Sequence, residues 1–195
     1  MDSFSLPETG FSAHLLRHNG LQGFVEWAFY PGMLFGSRLK WWGRGYRDRP
    51  HEGLDMCLYR DREGRLRSLS ENTRIPVIYE GEVANVVKDF LGQSVFVRHD
   101  LRDRDGFLLH TVYGHTAPLT GVSRGSAFAE GDIMATLAAA GDRRIPPHLH
   151  VSMAWISPSL LPEELNWGAM GDPHLLRFLD PLPVLTDSYT VLERA

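Results

Sequence analysis

The stretch Ile75-Pro76-Val77-Ile78-Tyr79-Glu80-Gly81-Glu82-Val83-Ala84-Asn85-Val86-Val87-Lys88-Asp89-Phe90-Leu91-Gly92-Gln93-Ser94-Val95-Phe96-Val97-Arg98 sets the fold class. It holds three short runs rich in β-branched residues, 75–79, 82–88 and 94–98, separated by the turn-forming pairs Glu80-Gly81 and Leu91-Gly92. Each run is too short for a helix and long enough for a strand. Outward from it the pattern repeats. Residues 54–59, 107–115 and 133–137 read as further strands, with turns at 61–64, 103–106 and 130–132. Many short strands joined by Gly-rich turns predict an all-β sandwich or barrel rather than alternating β-α units. Helical signal is confined to residues 11–20, before Gly20, and to a short stretch opened by Pro162.

The chain has 195 residues, enough for one domain with a substantial core. No repeat or linker divides it. The reading is an N-terminal extension over 1–30, a β-rich domain over 31–184 and a tail over 185–195. Phe11, Leu15, Leu16, Leu21, Phe24, Trp27 and Phe29 make the extension too apolar for a flexible leader, so it is expected to pack on the β domain. A formal net charge of -4 gives no basic footprint for nucleic acid or an anionic membrane. No apolar run approaches the ~20 residues needed to span a bilayer. Met1-Asp2-Ser3-Phe4-Ser5 lacks the basic start and apolar stretch of a secretory signal, so localisation is left open between cytoplasmic, for the chain as written, and periplasmic or extracytoplasmic, for a chain whose export signal is missing from it. The single cysteine, Cys57, rules out an internal disulfide and reads as a small buried apolar side chain.

Chemistry concentrates in three blocks: His51-Glu52-Gly53-Leu54-Asp55, Tyr113-Gly114-His115 and Pro147-His148-Leu149-His150-Val151. Pro50 and Gly53 argue against a helix at the first block. On an extended chain His51 and Asp55 share a face, with Gly53 between them leaving space for an ion, while Glu52 points away. His148 and His150 likewise share a face, as do Tyr113 and His115. A catalytic zinc ion takes three imidazole or carboxylate ligands and leaves one position open. His51, Asp55 and one of His148 and His150 meet that requirement, with the remaining histidines available for proton transfer. His14, His18 and His174 read as ordinary polar residues, and nothing in the spacing of His99 or His110 makes either a ligand. Trp41, Trp42 and Tyr46 form either an aromatic rim or a packing surface for the extension.

In this order the blocks resemble the lysostaphin-type (LytM-like) zinc endopeptidases, which cut peptidoglycan peptides. Phe35-Gly36-Ser37-Arg38 resembles the family's approach strand, and 75–83 its Pro-Val hairpin. Residues 125–133 resemble its Gly turns, and Leu179-Asp180-Pro181-Leu182 its closing segment. The resemblance spans about residues 31–184. It implies a twisted, mainly antiparallel β-sheet of the duplicated hybrid motif type, with short peripheral helices. It also implies one zinc ion held by His51, Asp55 and His150, with His148 and His115 as catalytic histidines, and a peptidoglycan or other peptide substrate. The chain departs from the family at 141–147, at Val151-Ser152-Met153 and in the long connection 61–74, which alters the groove walls more than the metal chemistry. Competing readings are a latent regulatory domain of the same fold, a zinc peptidase or amidase acting on another substrate, and a histidine phosphocarrier. Asp55 beside His51 argues against the phosphocarrier.

Overall fold

The computed structural model describes residues 6–21, 23–139, 145–186 and 188–193. Residues 141–144, part of the departure noted above at 141–147, lie outside them. The strands in chain order are β1 (Phe24–Phe29), β2 (Leu54–Met56), β3 (Leu58–Asp61), β4 (Leu66–Ser68), β5 (Arg74–Pro76), β6 (Gly81–Lys88) and β7 (Gln93–Arg102). They continue with β8 (Leu108–Pro118), β9 (Ala127–Phe128), β10 (Ile133–Leu137), β11 (Leu149–Ile156), β12 (Leu176–Leu179) and β13 (Tyr189–Val191). Two short α-helices, α1 (Phe11–His18) and α2 (Leu182–Leu185), lie at the periphery. The protein is all-β and mainly antiparallel. No helix among the described residues is long and apolar enough to cross a membrane.

The large sheet runs β12-β11-β8-β7-β6-β9, with β2 added on β11 and β10 bridging β8 to β5. A smaller sheet runs β13-β1-β3-β4. The run 54–59 is therefore not one strand. The chain changes sheets at Cys57, where β2 leaves β11 and β3 joins β1. Cys57 is fully buried at this corner, and burial, with Asp55 nearby, pushes its thiol pKa well up. The thiol is inert packing, as its small apolar character implies. Strands β1 and β13, the only parallel pair in the small sheet, were not legible as strands. β1 buries Trp27, Ala28 and Phe29 in succession, which breaks the two-residue period.

Alternation along the central strands divides their side chains between two clusters. Val95, Val97, Leu109, Tyr113, Val151 and Met153 join the main core, which also takes in Phe11 and Leu15 from α1 and Trp27 and Phe29 from β1. Each such side chain contributes roughly 1.5–3 kcal/mol on burial. The α1 end is pinned by Asn19, whose Nδ2 donates to the Leu15 and Arg74 carbonyls while its Oδ1 accepts from Arg74 N–H. Phe96, Val112, Ala154 and Ile156 form the second cluster, roofed by Leu165 and Met170 from the connection between β11 and β12. Every residue of β11 is consequently buried. His150 and Ser152 continue the second face, and that alternation brings the histidine under this roof.

Candidate metal centre

His51 is held by its backbone: its N–H donates to the Ser37 carbonyl at 2.9 Å, and its carbonyl accepts from Gly36 N–H at 2.8 Å. Residues 35–38 are thus the approach segment, although only Leu39 forms a bridge, to Tyr46, and 35–38 are not a strand. The extended strand begins at Leu54, so His51 reaches the site from a loop and Asp55 from β2. In β11, His150 stands opposite Asp55 on one side and Gly114 on the other. Gly53 does not leave room for an ion. A Cβ there would lie 2.3 Å from the Val151 carbonyl oxygen and 2.8 Å from His150 Nε2, so the space is taken by the neighbouring strand and ring.

Three candidate ligand atoms converge. Asp55 Oδ1 lies 3.2 Å from His51 Nε2 and 2.8 Å from His150 Nδ1, and the two nitrogens are 3.2 Å apart. His51 Nδ1–H donates to the Leu34 carbonyl at 3.1 Å, which leaves Nε2 as its lone-pair atom. The second nitrogen of His150, Nε2, has Ser152 Oγ at 2.9 Å. Ligand atoms ~2.0–2.2 Å from a tetrahedral ion stand ~3.3–3.6 Å apart. The group is only slightly tighter than that, and it is able to hold a metal ion. All three residues are at least 95% buried.

The other carboxylate oxygen is clamped. Trp41 Nε1–H donates to Asp55 Oδ2 at 2.6 Å and Arg47 Nη2 lies 3.2 Å from it. The Arg47 fork is fixed in turn by the carbonyls of Gly32 and Leu39, each at 2.6 Å from Nη1. Burial would raise the Asp55 pKa, but His51 and the hydrogen bond from His150 outweigh it and hold the carboxyl well below its usual range. Trp41 was read from the sequence only as an aromatic surface. Its hydrogen bond depends on how the 39–47 loop folds back, which spacing does not encode.

His148 precedes β11 rather than lying in it, yet its Nε2 comes within 3.9 Å of Asp55 Oδ1. Its Nδ1–H donates to the Pro146 carbonyl at 2.9 Å, and burial lowers its pKa to about 4, so the ring is neutral at pH 7. His115 packs against it with ring centroids 4.7 Å apart. Tyr113 and His115 do not share a face. Tyr113 is fully buried in the main core, where its hydroxyl accepts from Ile78 N–H at 2.7 Å. His115 has a positive φ of 62°, and the register shift between Val95↔Tyr113 and Gln93↔Thr116 marks a β-bulge at 114–115. The extra residue resets the alternation and turns His115 towards the site.

Together these side chains line a cleft of about 1060 Å³ whose walls include Phe35, Trp42, Phe90, Trp167 and Phe178. Glu52 also borders this cleft, contrary to the alternation argument, because 51–53 are not a regular strand. Tyr46 is 70% exposed and Trp42 is a wall. His174 is exposed, and His14 sits on α1 beside Arg17. None of these three (Tyr46, His14, His174) joins the centre.

His99 and His110 are buried away from it. His99 donates from Nδ1 to the Glu80 carbonyl at 2.8 Å and has Thr111 Oγ1 at 2.9 Å from Nε2. Burial lowers the pKa of both histidines from 6.5 to about 4. The unfolded chain then takes up protons first, so their contribution is complete above pH 6.5 and is lost as pH falls towards 4. By pH 5 each should have cost on the order of 2 kcal/mol of stability. Guanidinium midpoints at pH 7.5 and pH 5 test this. His99→Gln should flatten the difference, and equal wild-type midpoints would contradict it.

No protein-family model and no curated protein matches the chain. Among solved structures it is similar to lysostaphin, with 17% identity and a TM-score of 0.47 over 84% of this chain and 58% of that one. It is also similar to LytU, at 20% identity and a TM-score of 0.47 over 77% of this chain and 79% of that one. A third is the catalytic domain of the prophage-encoded M23 protein EnpA from Enterococcus faecalis. It has 21% identity and a TM-score of 0.42 over 70% of this chain and 91% of that one. The chain spans less than two thirds of the lysostaphin chain's length. Likenesses this distant carry no functional weight by themselves. The side chains of the centre carry it.

Proposed function

We propose that the protein is a zinc-dependent metalloendopeptidase that hydrolyses peptide bonds in peptidoglycan stem peptides or cross-bridges. The observation that carries this reading is the convergence of His51 Nε2, Asp55 Oδ1 and His150 Nδ1 on one point, with two further histidines beside it at the floor of an open cleft. Two imidazoles and one carboxylate are a donor set suited to zinc with an open position. The choice of peptidoglycan follows from the order of the three sequence blocks, which resembles the lysostaphin-type enzymes.

His51, Asp55 and His150 would hold the ion, which supplies Lewis acidity for acidifying water and polarising a scissile carbonyl. His148 has its Nδ1–H committed to Pro146, so Nε2 is free to take a proton from the attacking water and return it to the leaving amine. His115, whose ring packs against that of His148 in the same cleft, is placed to orient the attacking water by accepting from it. Trp42, Phe90 and Trp167 exclude water and provide flat surfaces for substrate.

Metal analysis of the purified protein, followed by digestion of purified peptidoglycan with and without chelator, tests the proposal. Stoichiometric zinc and chelator-sensitive release of peptide amines are expected. Zinc without hydrolysis of peptidoglycan, but with cleavage of another peptide or amide, would move the protein to the alternative substrate class. The Trp41 hydrogen bond adds a prediction. Trp41→Phe should weaken zinc binding by roughly 10–100-fold, the usual cost of losing a partner that orients a ligand. Competition with a chromophoric chelator measures it, and unchanged affinity would assign Trp41 to packing alone.

A further inference from the structure

Asp89 lies at the tip of the β6–β7 hairpin, outside all three sequence blocks. Its carboxylate is saturated. Oδ1 accepts from Leu91 N–H at 2.9 Å and Gly92 N–H at 2.7 Å, and Oδ2 accepts from the Ser94 hydroxyl at 2.7 Å and His115 N–H at 2.8 Å. The first two bonds close the turn at Leu91-Gly92. The other two do something a turn does not require. The side chain is only 3% exposed, and Oδ1 stands 3.3 Å from His115 Nδ1, an ion-pair distance at an angle outside hydrogen-bond geometry. His115 Nδ1 has no other protein partner among the described residues.

We propose that Asp89 is the positioning residue for His115, fixing both its left-handed backbone and the nitrogen that carries its proton. This rests on the proposed peptidase function for its kinetic consequence, though not for its structural one. A non-glycine residue in the left-handed region is strained and persists only where surrounding bonds over-determine it. The His115 N–H bond to Asp89 supplies that constraint at the bulge that turns the ring towards the cleft. A carboxylate facing Nδ1 keeps the proton on that nitrogen and leaves Nε2 as the atom that meets substrate or water.

Ser94 ties this arrangement to the opposite wall. Its hydroxyl is donated to Asp89, while its oxygen accepts from Trp167 Nε1–H at 3.0 Å. The Trp167 ring packs edge-on against His150, with centroids 5.4 Å apart. Phe90, also on the hairpin tip, covers His115 at 4.7 Å between centroids. A hairpin turn, a cleft wall and a catalytic ring are thereby held by one carboxylate.

Asp89→Asn in the zinc-loaded protein is the test. It keeps the shape and an accepting oxygen but removes the charge. On peptide substrate kcat should fall by about 10²-fold or more, with KM and zinc content unchanged. Independently of activity, the ¹⁵N resonances of His115 should show loss of the Nδ1–H tautomer, while those of His99, whose partners are elsewhere, stay fixed. Unchanged His115 resonances would overturn the proposal. Unchanged kcat in an active enzyme would do the same. A wild-type protein that binds zinc and cleaves nothing would remove the peptidase reading and leave the resonance experiment to decide on Asp89. Should Asp89→Asn fail to fold, Ser94→Ala removes only the hydroxyl that fixes Oδ2. A displaced His115 Nδ1 resonance is then expected, and an unmoved one overturns the proposal.

Discussion

His51→Ala is expected to abolish stoichiometric zinc binding and reduce hydrolysis to the level of chelated wild type. Among the described residues the ring's one hydrogen bond outside the centre is to the Leu34 carbonyl, so its removal disturbs little else there. Asp55→Ala should lose the metal equally but is a poorer probe. It strips the acceptor from Trp41 and from Arg47, whose side chain is only 13% exposed, leaving buried donors unpaired at a cost of about 1–3 kcal/mol. The metal's effect on folding offers a readout free of substrate. An ion bound only by the folded state at 100 times its dissociation constant stabilises by about 2.7 kcal/mol. In a chain of this size that raises Tm by roughly 5–10 °C. Added zinc should produce that rise in wild type and not in His51→Ala or His150→Ala. A zinc-induced rise that survives in both variants would place the metal elsewhere.

The fold class was legible because the strands that build the large sheet alternate cleanly and are punctuated by glycine turns. Residues 133–137 form a strand with the bounds the pattern gave, and 82–88 and 94–98 extend by a few residues at their ends. What failed was whatever depended on a break in regularity. The sheet switch at Cys57 is a corner inside the run 54–59, which holds no glycine or proline to mark it, and the bulge at His115 reverses a face without any glycine at the residue that turns. Spacing named His51 and Asp55 with one of His148 and His150, the resemblance chose His150, and the fold brings His51, Asp55 and His150 together. Their partners were not legible. Asp89, Ser152, Trp41 and Arg47 reach the centre through register and loop closure, and nothing in their own neighbourhoods marks them. Asp89 in particular closes the turn at Leu91-Gly92, which was read from its own pair of residues alone. Its second role exists only because β7 pairs with β8 in a register that lays the hairpin tip beside His115.

The roles of the two remaining histidines separate in the last prediction. His148→Ala and His115→Ala should both retain zinc at the wild-type ratio, since neither supplies one of the three converging atoms. Each should lower kcat by about 10²–10⁴-fold, the range expected for a lost proton-transfer group. Because both act on the same water, the double variant should be little worse than the poorer single one. The two differ in their surroundings. His148 is neutral, anchored through Pro146 and packed against the Trp41 ring at 5.1 Å, so removing it takes a proton acceptor from beside Asp55. His115 stands between Phe90 and His148 with a carboxylate behind its Nδ1, so removing it takes from the cleft the Nε2 that orients the attacking water. A substrate whose leaving group needs no protonation should therefore recover part of the His148→Ala deficit and none of the His115→Ala deficit. Loss of zinc from His148→Ala, with zinc kept by His150→Ala, would exchange ligand and catalyst. In that case the Nδ1 that faces Asp55 at 2.8 Å would have to be a hydrogen-bond donor rather than a metal ligand.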